Sequence, residues 1–198
     1  MNTEMKSIMR NNTWKLVARP LGKKVIGWRW TYKLKHGGLH KARFVAKGYL
    51  QRPGFDFDGT FAPVARFATI RILLAIAVGL GLRVHHTDVK TVFCYGDLDE
   101  EIYVEQPEGY AIPGQEDLVL LLTKSLYGLK KAPNVWFRTI TSEFVKLGYR
   151  KCESDHGIWV KLGPDGKCTS SFTWMISSCL KTMMNWLTSN ANFRFGLR

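Results

Sequence analysis

Trp28-Arg29-Trp30-Thr31-Tyr32-Lys33-Leu34-Lys35, then His36-Gly37-Gly38, then Lys41-Ala42-Arg43-Phe44-Val45-Ala46-Lys47-Gly48, reads as two strands around a tight turn. In the first strand Trp28, Trp30, Tyr32 and Leu34 alternate with Arg29, Thr31, Lys33 and Lys35. That period of two puts one apolar face opposite one mostly basic face. Gly37 and Gly38 supply turn chemistry. On the return strand Ala42, Phe44 and Ala46 share one side, and Lys41, Arg43, Val45 and Lys47 the other. Sheets facing water often carry Lys and Arg, but this face holds almost no acids to balance them.

A loop with Pro53, Gly54, Gly59 and Pro63 follows. It leads into a helix expected over about Thr69–Leu80, with Ile70, Leu73, Leu74, Ala77 and Val78 in one stripe at helical spacing. A strand is expected from about Leu82 into Asp88, a short one over Glu101–Glu105, and a buried one over Leu118–Leu122. After Ala132-Pro133 a second helix carries Trp136, Ile140 and Phe144 on one stripe and stops at Gly148. His156–Lys161 reads as a further strand. This order predicts an α+β fold with helices packed on one face of a mainly antiparallel sheet. No internal repeats or low-complexity tracts interrupt it.

The 198 residues carry a net charge of +13, an excess that points to a polyanionic partner such as nucleic acid. An inert basic surface gives the same count. No apolar run is long enough to span a membrane. The start, MNTEMKSIMRNNTW, has no apolar core of a leader, so an intracellular, non-secreted chain is expected. Cys94, Cys152, Cys168 and Cys179 show no metal-binding spacing and read as reduced thiols. No P-loop, GxGxxG or Ser-His-Asp pattern is present.

Thr87-Asp88-Val89-Lys90-Thr91-Val92-Phe93 places a carboxylate at the end of an apolar strand, with an aromatic ring five residues on. A polymerase needs carboxylates at strand ends, because hard divalent cations take oxygen ligands and two such ions clamp the attacking and leaving oxygens. An Asp that merely closes a loop gives the same short pattern. The wider context separates the two. Asn11-Asn12-Thr13-Trp14, Lys41 to Gly48, Thr60-Phe61-Ala62-Pro63-Val64-Ala65-Arg66 and Thr69-Ile70-Arg71 come first. Asp88-Val89-Lys90-Thr91, Gly96-Asp97-Leu98 and Tyr103-Val104-Glu105-Gln106-Pro107 follow. Ser125-Leu126-Tyr127-Gly128-Leu129-Lys130, Ala132-Pro133 and Trp136 complete the series. Together, from about Asn11 to Lys161, they resemble the reverse transcriptase of Ty1/copia retrotransposons, in its order and at nearly its spacing.

The resemblance implies the fingers and partial palm of a right-hand polymerase. It implies a lead-in at 1–19, fingers with the basic hairpin at 20–81 and palm at 82–161. Asp88 corresponds to the first metal-binding aspartate, with Mg2+ as the implied ion. Phe93 stands where the family keeps an aromatic beside the nucleotide sugar. Lys41, Arg43 and Lys47 belong to the fingers hairpin, with Arg43 reaching the triphosphate, and Tyr127-Gly128 lies under nucleotide and template. RNA or DNA template-primer and deoxynucleotides are the implied partners. The chain departs from the family at Cys94-Tyr95, usually Leu-Asn, at Lys131, usually Gln, and in a shortened hairpin turn.

The family's Tyr-Val-Asp-Asp turn, which completes the metal site, is not in this reading frame. The chain has no adjacent Asp pair, and no Asp or Glu after Asp165. Yet Trp174, Met175 and Ile176, read from the third base of each codon, are forced by the genetic code to give Asp-Asp. Phe172-Thr173-Trp174 in that frame is compatible with Tyr-Val, and Met183-Met184-Asn185-Trp186 gives Asp-Glu-Leu. A net loss of one base between about Lys161 and Phe172 accounts for this and for the loss of periodicity beyond Gly166. The expectation is a frameshifted, poorly ordered tail over 162–198 and a catalytically dead chain. A non-catalytic basic module that binds nucleic acid is the other expectation.

Overall fold

The computed structural model describes residues 1–81, 84, 89 and 91–162, and the backbone of 168–172. Asp88, and the strand expected from Leu82 to it, fall outside the described residues apart from Val84. The chain packs as two compact units, one of residues 1–61 and 91–139, the other of residues 62–90 and 140–198.

The first unit begins with α1 (Asn2–Arg10), whose Met5 and Ile8 are buried one turn apart. Sequence reading had treated this stretch only as a lead-in. The helix ends where Asn12 takes a left-handed conformation, φ 50°, which Asn tolerates better than most residues. Thr13 is buried and its hydroxyl donates to the Ile8 carbonyl at 2.9 Å. The Asn11-Asn12-Thr13-Trp14 motif is therefore a helix stop. It turns the chain into β1 (Trp14–Val17), which pairs antiparallel with β6 (Val119–Leu122). Beyond β6 lie β5 (Tyr103–Val104) and β2 (Val25–Ile26), giving the order β1-β6-β5-β2. The β2–β5 pair is parallel, the exception to antiparallel pairing among the described strands.

The expected hairpin is present as β3 (Trp28–Leu34) and β4 (His40–Ala46), a separate two-stranded sheet. Its register sets Trp28 opposite Ala46, Trp30 opposite Phe44 and Thr31 opposite Arg43. Trp28, Trp30 and Phe44 turn inward as the alternation requires, but Tyr32 and Leu34, farther along the same face of β3, are 68% and 63% exposed. Phe44 is fully buried, ringed by Trp14, Trp28 and Trp30 with centroids 5.9, 5.3 and 5.6 Å away. Such edge and tilted ring contacts add to the burial of large apolar area.

The second unit contains α2 (Phe67–Gly79) and the sheet β7-β8-β9, formed by Arg150–Lys151, Ile158–Leu162 and Cys168–Phe172. α3 (Ala132–Lys146) contributes its first half to the first unit and its second half here. Trp136, Ile140 and Phe144 are buried, as their spacing predicted. The α2 stripe needs correction. Ile70 and Ala77 are buried and Leu73 and Leu74 partly so, but Val78 is 80% exposed. Ile72 and Ile76, on another face, are also exposed. The helix is apolar on all sides, so periodicity did not single out the inward face. β9 is a further departure: its backbone pairs Ile158 with Phe172 through Leu162 with Cys168, where composition gave no strand.

Asp155 ties this unit together. It is 5% exposed and accepts from the backbone N–H of Arg66 at 2.9 Å, at the start of α2, and of Gly157 at 3.0 Å. Burial opposes its ionisation, but hydrogen bonds from the Thr69 side chain and those two N–H groups outweigh it and hold its carboxyl below the usual range. A depressed carboxyl pKa adds stability above the unfolded value, lost as pH falls through the folded one. Asp155→Asn is therefore expected to lower unfolding stability by about 2 kcal/mol at neutral pH. In urea melts at stepped pH its acid-side decline should be shallower than the parent's, and parallel declines would contradict this role.

Candidate functional site

Arg43, Phe93 and Tyr127, distant in sequence, converge in the first unit. The Arg43 guanidinium lies 5.7 Å from the centroid of the Tyr127 ring, a cation–π position. Phe93 meets the same ring edge-on at 4.8 Å. Phe93 is itself 2% exposed, so its ring is a wall of this cluster, not a free surface. Burial pushes the Tyr127 phenol up to about 12, assisted by the charge of Glu4 and opposed by that of Arg43. Tyr127 therefore stays neutral at physiological pH.

Phe93 is held by a one-turn 3-10 helix over Val92–Tyr95. Thr91 begins it in a left-handed conformation, φ 51° and ψ 38°, strained for a β-branched residue. Its hydroxyl shares a 2.6 Å hydrogen bond with Ser7 of α1. Gly96 follows because a side chain there would overlap Val135 of α3. Burial likewise raises the Cys94 thiol to about 12, which leaves it protonated and unreactive.

Gly128 and Gly48 explain their own identity. Gly128 has φ +93°, and a side chain on it would overlap the Ala46 carbonyl and lie 2.7 Å from Val45 Cγ1. A side chain on Gly48 would overlap the Gly128 carbonyl. With both bare, the Ala46 N–H donates to the Tyr127 carbonyl at 2.8 Å. This contact seats the Tyr127 turn against the end of β4. Beside it opens a cleft of about 380 Å3, lined by Arg29, Lys47, Tyr49 and Lys130 with Gly48 and Gly128, and by no acid. Buried Gln51 accepts the Lys130 N–H at 2.8 Å at its edge.

Of the residues the sequence singled out, Arg43, Phe93 and Tyr127 therefore form one cluster, and Lys47 and Gly128 line the cleft next to it. Lys41 sits half-buried on β4, directly across from Lys33. Like charges in that position repel unless an anion lies near. Asp88 is outside the described residues. Among the described residues no group of three or more His, Cys, Asp or Glu side chains could hold a metal ion. The described donor set therefore does not fit a metal. Glu4, Tyr49 and Lys130 were missed as site residues. Tyr49 adjoins the Lys41–Gly48 motif and Lys130 closes the Ser125–Lys130 one, whereas Glu4 left no signal.

The family model described as reverse transcriptase (RNA-dependent DNA polymerase) matches residues 11–172. The chain belongs to the reverse transcriptase family. Its curated relatives are Pol polyproteins of the Ty1/copia type. It is 45% identical over 166 residues to the retrovirus-related Pol polyprotein from transposon TNT 1-94 of Nicotiana tabacum, covering 81% of this chain and 12% of that one. Against the corresponding polyprotein from transposon RE2 of Arabidopsis thaliana it is 37% identical, covering 81% and 11%. Against a Ty1 Gag-Pol polyprotein of Saccharomyces cerevisiae it is 31% identical, covering 72% and 8%. The chain thus spans about a tenth of the length of the curated relatives it matches. No solved structure matches it. Among the described residues no helix is long and apolar enough to cross a membrane.

Gly128→Ala tests the seat of the reverse transcriptase cluster, with Gly37→Ala as reference. Gly37 has φ +84° but open space around it. It should lose only about 1 kcal/mol, the cost of the backbone conformation. Gly128→Ala adds a backbone clash and should lose about 3 kcal/mol or more. Equal melting losses for the two variants would refute the interlock.

Proposed function

We propose that this chain is the nucleotide-facing front part of a copia-type RNA-directed DNA polymerase, and that as written it does not polymerise DNA. In this reading residues 20–81 are fingers, 82–161 part of the palm and 1–19 a lead-in. The meeting of Arg43, Tyr127 and Phe93 carries the nucleotide assignment. Arg43 and Lys41 would neutralise charge on a triphosphate. The Tyr127 ring holds the Arg43 guanidinium in place without competing for a proton. Phe93, buried edge-on against Tyr127, would act on the nucleotide sugar only by holding that ring in place. Lys47 and Gly128 would face template and primer across the acid-free cleft. Polymerases of this family use divalent metal ions. In this chain Asp88 is the one residue assigned to such an ion, and Mg2+ is the ion expected.

Loss of activity follows from the reading frame. One aspartate cannot hold two ions in the geometry that phosphoryl transfer needs. The family match ends at Phe172, two residues before the Trp174-Met175-Ile176 run whose alternative frame encodes Asp-Asp. A frameshift between about Lys161 and Phe172 accounts for both, with the residues beyond it as the out-of-frame tail.

A second reading, a non-catalytic module that holds nucleic acid through its phosphates, is favoured by the +13 charge and the acid-free lining of the cleft. Primer extension with Mg2+ separates the two. The chain as written should give no product. One base inserted before the Phe172 codon, with translation continued in the restored frame, should give extension. Arg43→Ala in that restored chain should reduce kcat/KM for the nucleotide by on the order of 100-fold. Extension by the original chain would overturn the inactivity. No extension by the restored chain, with salt-sensitive binding of labelled RNA, would favour the binding module.

A further inference from the structure

Helix α1 is held by three hydrogen bonds, one of which ties it to the segment that carries Phe93. The Tyr110 hydroxyl donates to Asn2, Ser7 bonds Thr91 two residues before Phe93, and Thr13 closes the helix end. The helix packs against β4, the strand that carries Lys41 and Arg43. Glu4 is carried on it, half-buried. Its Oε1 atom is fully buried and without a hydrogen-bond partner, while the carboxylate accepts from the Phe44 backbone N–H.

The surroundings of Glu4 come from four elements. Lys41 and Arg43 reach it from β4, the N-terminal amine from the start of its own helix, and Tyr127 and Cys94 from the cluster. Burial raises its pKa, and the cations, Lys41 before Arg43, pull it back only in part. Arg43 meanwhile lies over the Tyr127 ring. Glu4 therefore acts on the cationic face chiefly through its charge. A buried carboxylate oxygen without a donor is costly, and its field opposes any anion that approaches Lys41 and Arg43.

We propose that Glu4 is a specificity-determining residue of this face, a built-in negative charge that weakens the hold of Lys41 and Arg43 on phosphate groups and takes up a proton when such a group binds. The proposal rests on the reading of that face as a triphosphate site. It makes the site one that releases polyanions readily, since each anion must displace or neutralise a charge already in place. Net positive charge alone does not set affinity there.

The test uses the full chain and a deoxynucleoside triphosphate with a fluorescent base, followed by anisotropy without added metal. At about pH 8, where Glu4 is ionised, Glu4→Gln should bind on the order of tenfold more tightly than the parent, as expected for removing one nearby charge. Glu4→Ala, which suits a helix equally well, should show the same gain if Glu4→Gln fails to fold. As pH falls toward the carboxylate range, the parent should approach the variant, because protonation removes the same charge. Calorimetry in two buffers of different ionisation enthalpy should show proton uptake for the parent and less for Glu4→Gln. Equal or weaker binding by the folded variants, or parallel pH profiles, would overturn the proposal. Arg43→Gln distinguishes the levels. If it weakens the parent while Glu4→Gln gives no gain, the triphosphate site stands and the role of Glu4 falls. If Arg43→Gln changes nothing, both fall.

Discussion

The hydrogen bond from the Ala46 N–H to the Tyr127 carbonyl exists only because two glycines meet face to face. Much of the first unit depends on it. It joins the end of the β3–β4 hairpin to a turn 81 residues later in sequence. In doing so it sets Tyr127 under Arg43 and against Phe93. The opposite face of the same hairpin is fixed independently, by Phe44 inside its ring of tryptophans. One strand is thus held from both sides, by packing on its apolar face and by backbone contact at its end. The cations on β4 are consequently presented from a rigid element, which is what recognition of a charged ligand requires.

The parts of the fold that were legible were those in which side-chain type alone decides structure. The hairpin's faces follow from a period of two, and the register found, Trp30 opposite Phe44, is the one that collects all the large rings on one side. The stripe of Trp136, Ile140 and Phe144 was equally legible, because α3 has a polar face to contrast with it. α2 was less so, since its apolar residues occupy every face and the helical period loses its meaning. α1 was missed for a different reason. Met1, Met5, Ile8 and Met9 do stand at helical spacing, but over nine residues with only two buried side chains that signal is short.

The candidate site divides in the same way. Arg43, Tyr127 and Gly128 stand in motifs whose chemistry can be named from the residues. That Gly128 must be glycine for want of space, in addition to its backbone angle, is decided by the Ala46 carbonyl, which only folding brings beside it. Glu4 is separated from Arg43 by the whole first sheet strand and hairpin in sequence, so its place beside the cations is a product of folding alone. Asp88, the residue with the plainest chemical meaning in the sequence, is the one whose surroundings the structure does not describe.

The apolar faces of α2 bear on the fate of the chain in a cell. Ile72, Ile76 and Val78 of the helix, and Leu80 just after it, stand 59%, 48%, 80% and 68% exposed, a surface of the kind that protein-quality machinery binds. Degradation responds to such surface whether or not a chain retains chemistry. An apolar helix face open to solvent thus ties the chain's survival in a cell to a part of the fold that carries none of its candidate chemistry.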